Sequence, residues 1–183
     1  MARLPYLDRD DLPEEQRAIF DDLERARGYV PNLYRALANA PRLMADFVAM
    51  GADIRRPSAL RQDLKELAIL TVGRVTGATT IWVSHQAWAR EAGLSDEELL
   101  GVPAWRGHPA FSSEQRAVMA YAEEVTTEVR ASDETWGAVR AFLDGSALAE
   151  LALVVGFYNM VARFLEPAQV DLDPRYTQRP DTR

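Results

Sequence analysis

The sequence predicts an all-α fold. No segment alternates apolar and polar residues at period two for long enough to make a strand. Apolar residues instead recur at spacings of three and four, in stretches bracketed by helix-starting and helix-ending residues. With 183 residues, 48% hydrophobic and 27% charged, the chain can bury a core of its own and reads as one domain, 1–183.

Asp11-Leu12-Pro13-Glu14-Glu15 places a proline in a first turn and acids at the positive end of a helix. Gly28 closes it, which gives a helix over about 13–27. Pro31 and Pro41 each open a shorter helix, ending near Ala38 and Gly51, and these segments form an N-terminal lead-in, 1–57. From Ala59 to Val75, the residues Leu67, Ala68, Ile69, Leu70 and Val72 surround the helix axis, so this helix is expected to be buried on most sides before Thr76-Gly77 ends it. The next helix, Ala78 to Ala92, carries Ala78, Ile81, Trp82, His85, Trp88, Ala89 and Ala92 on one stripe, and Gly93 closes it.

Capping boxes at Ser95-Asp96-Glu97-Glu98 and Ser112-Ser113-Glu114-Gln115 open two further helices on either side of a proline- and glycine-bearing loop, 101–109. Ser132 caps another helix that reaches about Leu143. Ala147 to Leu165 is apolar on nearly all sides and is expected to be a second buried helix. Pro167 and Pro174 bound an acidic C-terminal arm, 167–183, expected to be extended and either mobile or laid against another subunit. Ser58-Ala59-Leu60 followed by Glu66-Leu67-Ala68-Ile69-Leu70 is echoed by Ser146-Ala147-Leu148 followed by Glu150-Leu151-Ala152-Leu153-Val154, which points to a duplicated helical unit.

Composition removes most chemistries. A net charge of -7 and a pI near 4.9 argue against nucleic acid or an anionic membrane as partner. The opening residues lack an apolar signal core and no stretch reaches roughly 18 uncharged apolar residues, so the expected location is the cytoplasm. There is no cysteine, which excludes thiol nucleophiles, disulfides and thiolate metal sites. Of the two histidines, His108 lies in a Gly-His-Pro loop, and no metal-ligand spacing, phosphate-cradling glycine loop or nucleophile elbow is present. No metal or cofactor is therefore expected, and proton transfer is the chemistry left open.

His85, central in its apolar stripe, and Glu66, on the preceding helix, are the candidate catalytic residues. Burial opposes charge on both groups while their mutual attraction favours it, a balance suited to proton exchange near neutral pH. A positioned acid or base contributes about 10² to 10⁴ in rate, which suits decarboxylation, isomerisation or cyclisation of a small organic acid, lactone or related carbonyl compound. Trp82 is a candidate wall or stacking surface, Tyr34, Tyr158 and Asn159 are candidate hydrogen-bonding groups, and Arg74 or Arg163 could pair with a substrate carboxylate. The competing reading makes His85 a core histidine and Glu66 a glutamate salt-bridged to Lys65 or Arg61. The molecule would then be a non-catalytic oligomeric bundle that binds a small apolar ligand or only assembles.

Glu66, eleven residues, Ala78, two residues, Ile81, three residues and His85 form a spacing that resembles the carboxymuconolactone decarboxylase and AhpD-like family. Ile19-Phe20, Val30-Pro31-Asn32-Leu33-Tyr34, Ala40-Pro41-Arg42-Leu43, Ala92-Gly93-Leu94-Ser95 and Gly156-Phe157-Tyr158-Asn159 extend the resemblance over most of the chain. It implies an all-helical fold with an internal repeat, assembly as a homo-oligomer (trimer or hexamer), and a small-molecule site among the buried helices. In the peroxidase branch, the positions matching Ala78 and Ile81 are a Cys-x-x-Cys pair served by a proton relay at the positions of Glu66 and His85. A peroxide must be attacked by a thiolate, so hydroperoxide reduction by that route is excluded here. In the decarboxylase branch, Tyr-Glu-Trp precedes the histidine, where this chain has Thr80-Ile81-Trp82. Glu66 and His85 are retained, and Ala78, Ile81 and Trp82 would line a more apolar pocket.

Overall fold

The computed structural model describes residues 2–177; Met1 and the last six residues of the C-terminal arm, 178–183, lie outside it. The described residues hold ten α-helices, three short 3₁₀ turns and no strand. The helices are α1 (Arg17–Arg27), α2 (Asn32–Leu37), α3 (Pro41–Ile54), α4 (Gln62–Thr76), α5 (Thr79–Glu91), α6 (Asp96–Gly101), α7 (Ser113–Glu128), α8 (Asp133–Arg140), α9 (Gly145–Ala168) and α10 (Pro174–Thr177). They gather into two compact units, one made of the residues up to Arg56 together with those from Phe164 onward, the other of Pro57–Arg163.

In the first unit, α1 starts later than the proline and acids suggest, because Glu14–Gln16 takes a tighter 3₁₀ turn first. Gly28 ends α1 in the left-handed conformation at φ 77°. Leu12, Phe20, Leu23, Tyr34, Ala38 and Met44 form this unit's core, with Ile19, Leu37 and Phe47 packed around it.

The described part of the C-terminal arm, as far as Thr177, is tied to the N-terminal segment. The helix continues through Pro167, and Gln169 then turns the chain at φ 50°, with Gln169 N–H donating to Glu166 O and Val170 N–H to Leu165 O, both at 3.1 Å. Arg3 N–H reaches Ala168 O at 2.8 Å, Tyr6 Oη donates to Asp171 Oδ2 at 3.0 Å, and Asn32 N–H donates to Asp173 Oδ1 at 2.8 Å. The lead-in and the arm, 164 residues apart at Arg3 and Pro167, thus form one unit stitched by polar contacts.

The second unit centres on α4, whose residues Leu64 through Gly73 are all buried and which packs chiefly against α7 and α5. Leu67 and Leu70 of α4 meet Ala89 of α5, Leu94, Leu99 of α6, Val102, Trp105, Phe111 and Met119 of α7 in one cluster. Both capping boxes form, with Ser95 Oγ accepting from Glu98 N and Ser112 Oγ from Gln115 N. Gly73 lets α4 and α5 approach closely: a Cβ there would lie 3.0 Å from Ile81 Cγ2.

The last long helix, α9, differs from its expected burial. Leu151, Val154, Val155, Tyr158 and Val161 are buried, but Ala152, Leu153, Gly156 and Met160 form an exposed apolar face, with Leu153 56% exposed. Apolar composition reveals that a helix seeks partners and does not reveal whether its own chain supplies them on every side. Among the described residues, α9 is also the helix long and apolar enough to cross a bilayer, although 44% of its most apolar window is buried within the protein, as in a core helix.

Candidate active site

The chemistry is built on two neighbouring helices. Glu66 lies in the second turn of α4 and His85 in the second turn of α5, and the two are joined through the tight Gly77-Ala78 connection, where Gly77 takes φ 71°. That short link forces α4 and α5 to run back along each other, which brings the two side chains face to face. His85 Nδ1 lies 2.8 Å from Glu66 Oε2, and each residue is only 7% exposed. With the carboxylate as acceptor, Nδ1 carries the proton and Nε2 presents its lone pair as the base that can meet a substrate. In that tautomer Glu66 orients the ring and can stabilise an imidazolium.

Around this pair the surroundings are apolar and aromatic. Tyr158, buried on α9, stands edge-to-face with the imidazole at 4.9 Å between ring centroids and 89° between planes. Phe157 in turn meets Tyr158 in the same manner at 5.4 Å. Ala78 at the head of α5 is fully buried, and Ile81, one turn before His85, is 2% exposed and wedged against Gly73.

Other residues singled out from the sequence have different employment. Trp82 is half-buried and packs onto the Leu67–Leu70–Met119 cluster, so its ring closes the core. Asn159 donates through Nδ2 to Thr126 Oγ1 at 3.0 Å and to Val155 O at 2.9 Å, and it accepts from Arg163, tying α9 to α7. Arg163 is thereby engaged as well. Arg74 is paired with Glu123 at 2.5 Å. Tyr34 belongs to the first unit, buried in its core with Phe47 edge-on at 6.3 Å and the Arg27 guanidinium over its ring. His108 packs against Phe111 and accepts from Ala110 N–H at 3.4 Å, a loop-structuring role.

Arg61 and Lys65, the candidate salt-bridge partners of Glu66, also bond elsewhere. Arg61 pairs with Asp63 at 2.9 Å and Glu114 at 2.7 Å, and the Lys65 ammonium donates to Ser58 Oγ at 2.9 Å. Sequence reasoning missed this second polar cluster. Glu150 of α9 accepts from Ser58 Oγ at 2.6 Å, from Leu60 N–H at 2.9 Å and from Ala59 N–H at 3.2 Å, so the serine of one echoed Ser-Ala-Leu segment meets the glutamate that follows the other. The echo itself was the available signal.

The same helices that carry Glu66 and His85 fall within a match to the carboxymuconolactone decarboxylase family, over residues 41–124. In its fold the chain is AhpD-like. This AhpD-like chain is 39% identical over 77 residues to the YnjA protein of Escherichia coli (strain K12), a match that covers 42% of this chain and 42% of that protein's length. It shares its fold with the alkylhydroperoxidase AhpD core of a peroxidase-related protein from Ralstonia eutropha JMP134, with a TM-score of 0.83 at 17% identity over 96% of this chain and 94% of the other. A peroxidase-related protein from Silicibacter sp. TM1040 gives a TM-score of 0.80 at 22% identity over 98% and 94% of the two chains. A cysteine-to-alanine variant of the debrominase Bmp8 in complex with 2,3,4-tribromopyrrole gives 0.81 at 15% identity over 95% and 93%.

Proposed function

We propose that this AhpD-like protein is a cofactor-independent acid/base enzyme in which His85 Nε2 moves the proton and Glu66 orients and charges the ring. The supporting observation is the 2.8 Å hydrogen bond between two buried groups that the family resemblance also picks out. The substrate class is a small organic acid, lactone or related carbonyl compound, and the reaction removes or relocates a proton next to the carbonyl, as in decarboxylation, isomerisation or cyclisation. The apolar surround of Ala78, Ile81 and Tyr158 favours a flat, weakly polar compound, a preference in line with the tribromopyrrole bound by Bmp8. With no thiol in the sequence, the chemistry is not that of a thiol peroxidase.

The protein is incubated in D₂O with a panel of β-keto acids, 1,3-dicarbonyls and unsaturated lactones, and deuterium entry beside the carbonyl is followed by NMR. Exchange with the wild type that falls by about 10²-fold or more in His85→Gln is expected. No exchange above buffer, or exchange unchanged by His85→Gln in a folded protein, overturns the reading.

The second reading, a non-catalytic oligomeric bundle, draws on the exposed apolar face of α9. The two readings share an assembly: a cytoplasmic homo-oligomer, trimer or hexamer, that buries Leu153 and Met160. Light scattering on Leu153→Glu is expected to give the monomer mass, and an unchanged mass rejects that face as the contact.

A further inference from the structure

Behind the Glu66–His85 pair lies a second set of charged groups that proton transfer as described leaves unused. Lys65 is 2% exposed, directly precedes Glu66 on α4, and donates to Ser58 Oγ at 2.9 Å. Ser58 Oγ donates in turn to Glu150 Oε2 at 2.6 Å, and Glu150 further accepts from two backbone N–H groups at the approach to α4. A buried ammonium is costly unless carboxylates offset it, and both Glu150 and Glu66 favour the charge on this one. Charge counting then has a consequence. Lys65, Glu66 and Glu150 together sum to one negative charge, and the set reaches neutrality only when His85 holds a second proton.

We propose that Lys65, anchored by Ser58 and shared between Glu150 and Glu66, is a positioning residue that governs how firmly the Glu66–His85 pair keeps its proton. The proposal deepens the acid/base reading, since it concerns the same pair. Whatever negative potential Glu66 exerts on the imidazole, Lys65 withdraws part of it, and Glu150 in turn withdraws part of Lys65. Burial pushes the Lys65 ammonium below the usual lysine value, opposed by Glu150 and Glu66. Burial likewise works against the Glu150 carboxylate, but the hydrogen bonds from Ser58, Leu60 and Ala59 and the Lys65 charge outweigh it and hold Glu150 below the usual carboxylate range. Glu150 therefore keeps its charge at neutral pH. The other charges on the packed elements are spoken for: Arg61, Asp63 and Glu114 form their own set at the start of α4, and Arg74, Arg106 and Glu123 another near its end. Tyr158 is the group that α9 presents to the imidazole.

With two histidines in the chain, ¹H NMR resolves two imidazole titrations, and the one missing in His85→Asn identifies His85. Lys65→Met is expected to move the His85 midpoint upward by about half a pH unit or more, because a cation near the carboxylate is gone. Glu150→Gln is expected to move it downward, because Lys65 then acts on Glu66 alone, and Lys65→Arg is expected to leave it within about 0.2 unit. A purely structural role lowers the melting temperature in these variants without displacing the midpoint in opposite directions. Midpoints unmoved in either Lys65→Met or Glu150→Gln, or moved the same way in both, overturn the proposal. If Lys65→Met does not fold, the direction in Glu150→Gln decides alone. Turnover is not read here, so loss of this proposal leaves the exchange assay to judge the acid/base reading, and the reverse holds equally.

Discussion

At the scale of single residues, polar groups in this protein are bound into small closed sets, and the clearest is centred on Glu123. It accepts from Arg106 at 3.0 Å, from Trp105 Nε1 at 3.0 Å and from Arg74 at 2.5 Å. Burial disfavours its charge, but Arg106, Trp105 and Arg74 outweigh it and hold the carboxyl below the usual carboxylate range. A depressed value means that this stabilisation is present above the ordinary carboxylate value and is lost as pH falls through the depressed one. Glu123→Gln is expected to cost about 2 kcal/mol at neutral pH, and less in acid, by chemical denaturation at the two pH values. Gly73 is the second sensitive position. Gly73→Ala must displace Ile81 or the Trp82 backbone, at 3.0 and 3.3 Å from the new carbon, and should destabilise by about 1–3 kcal/mol. His85 and Glu66 were legible in the sequence because an isolated histidine on an apolar stripe is conspicuous. The engagement of Asn159 with Thr126 was not, since a side-chain amide gives no hint of which helix it will bond.

At the scale of elements, helix starts were easy to read and helix faces were not. Ser95, Ser112 and Ser132 cap where the sequence places them, because a cap is a local contract between a hydroxyl and an N–H three residues on. Burial of a face depends on distant residues, which is why the apolar run of α9 does not show which side stays exposed. The end of α7 carried no glycine signal either. Val129 closes that helix at φ 67°, a left-handed conformation that strains a β-branched residue, while its side chain is 83% exposed. Val129→Gly is therefore expected to raise stability by about 1 kcal/mol, seen as a higher denaturation midpoint with an unchanged slope. A fall in the midpoint would mean that the exposed valine is itself in use.

At the scale of the whole molecule, the residues before Pro57 and those from Phe164 onward gather into one compact unit joined by a polar seam, and Pro57–Arg163 into a second. Asp173 is part of that seam: it is 5% exposed and accepts from Asn32 N–H at 2.8 Å and Tyr29 Oη at 3.4 Å. Burial pushes its carboxyl above the usual range, over the opposing effects of Asn32, Tyr29, Arg175 and Arg27. A raised value in an acid means that the folded state holds the proton more tightly. The cost of the charge is then absent below the ordinary carboxylate value and grows as pH rises toward the raised one. Asp173→Asn should thus gain on the wild type in melting temperature as pH is raised from 4 to 7, and a constant difference between the two proteins refutes this.

The meeting of Arg3 with Ala168 also sets an order of events in the making of the protein. A ribosome delivers the leading segment long before the helix end it must clasp, and at typical elongation speeds the wait is on the order of ten seconds. Throughout that interval Leu12, Phe20, Leu23 and Met44 can already pack on one another, because their core draws on the leading segment alone. Newborn chains should accordingly bury those residues early, whereas the seam between Arg3 and Ala168 closes only once Ala168 has been made.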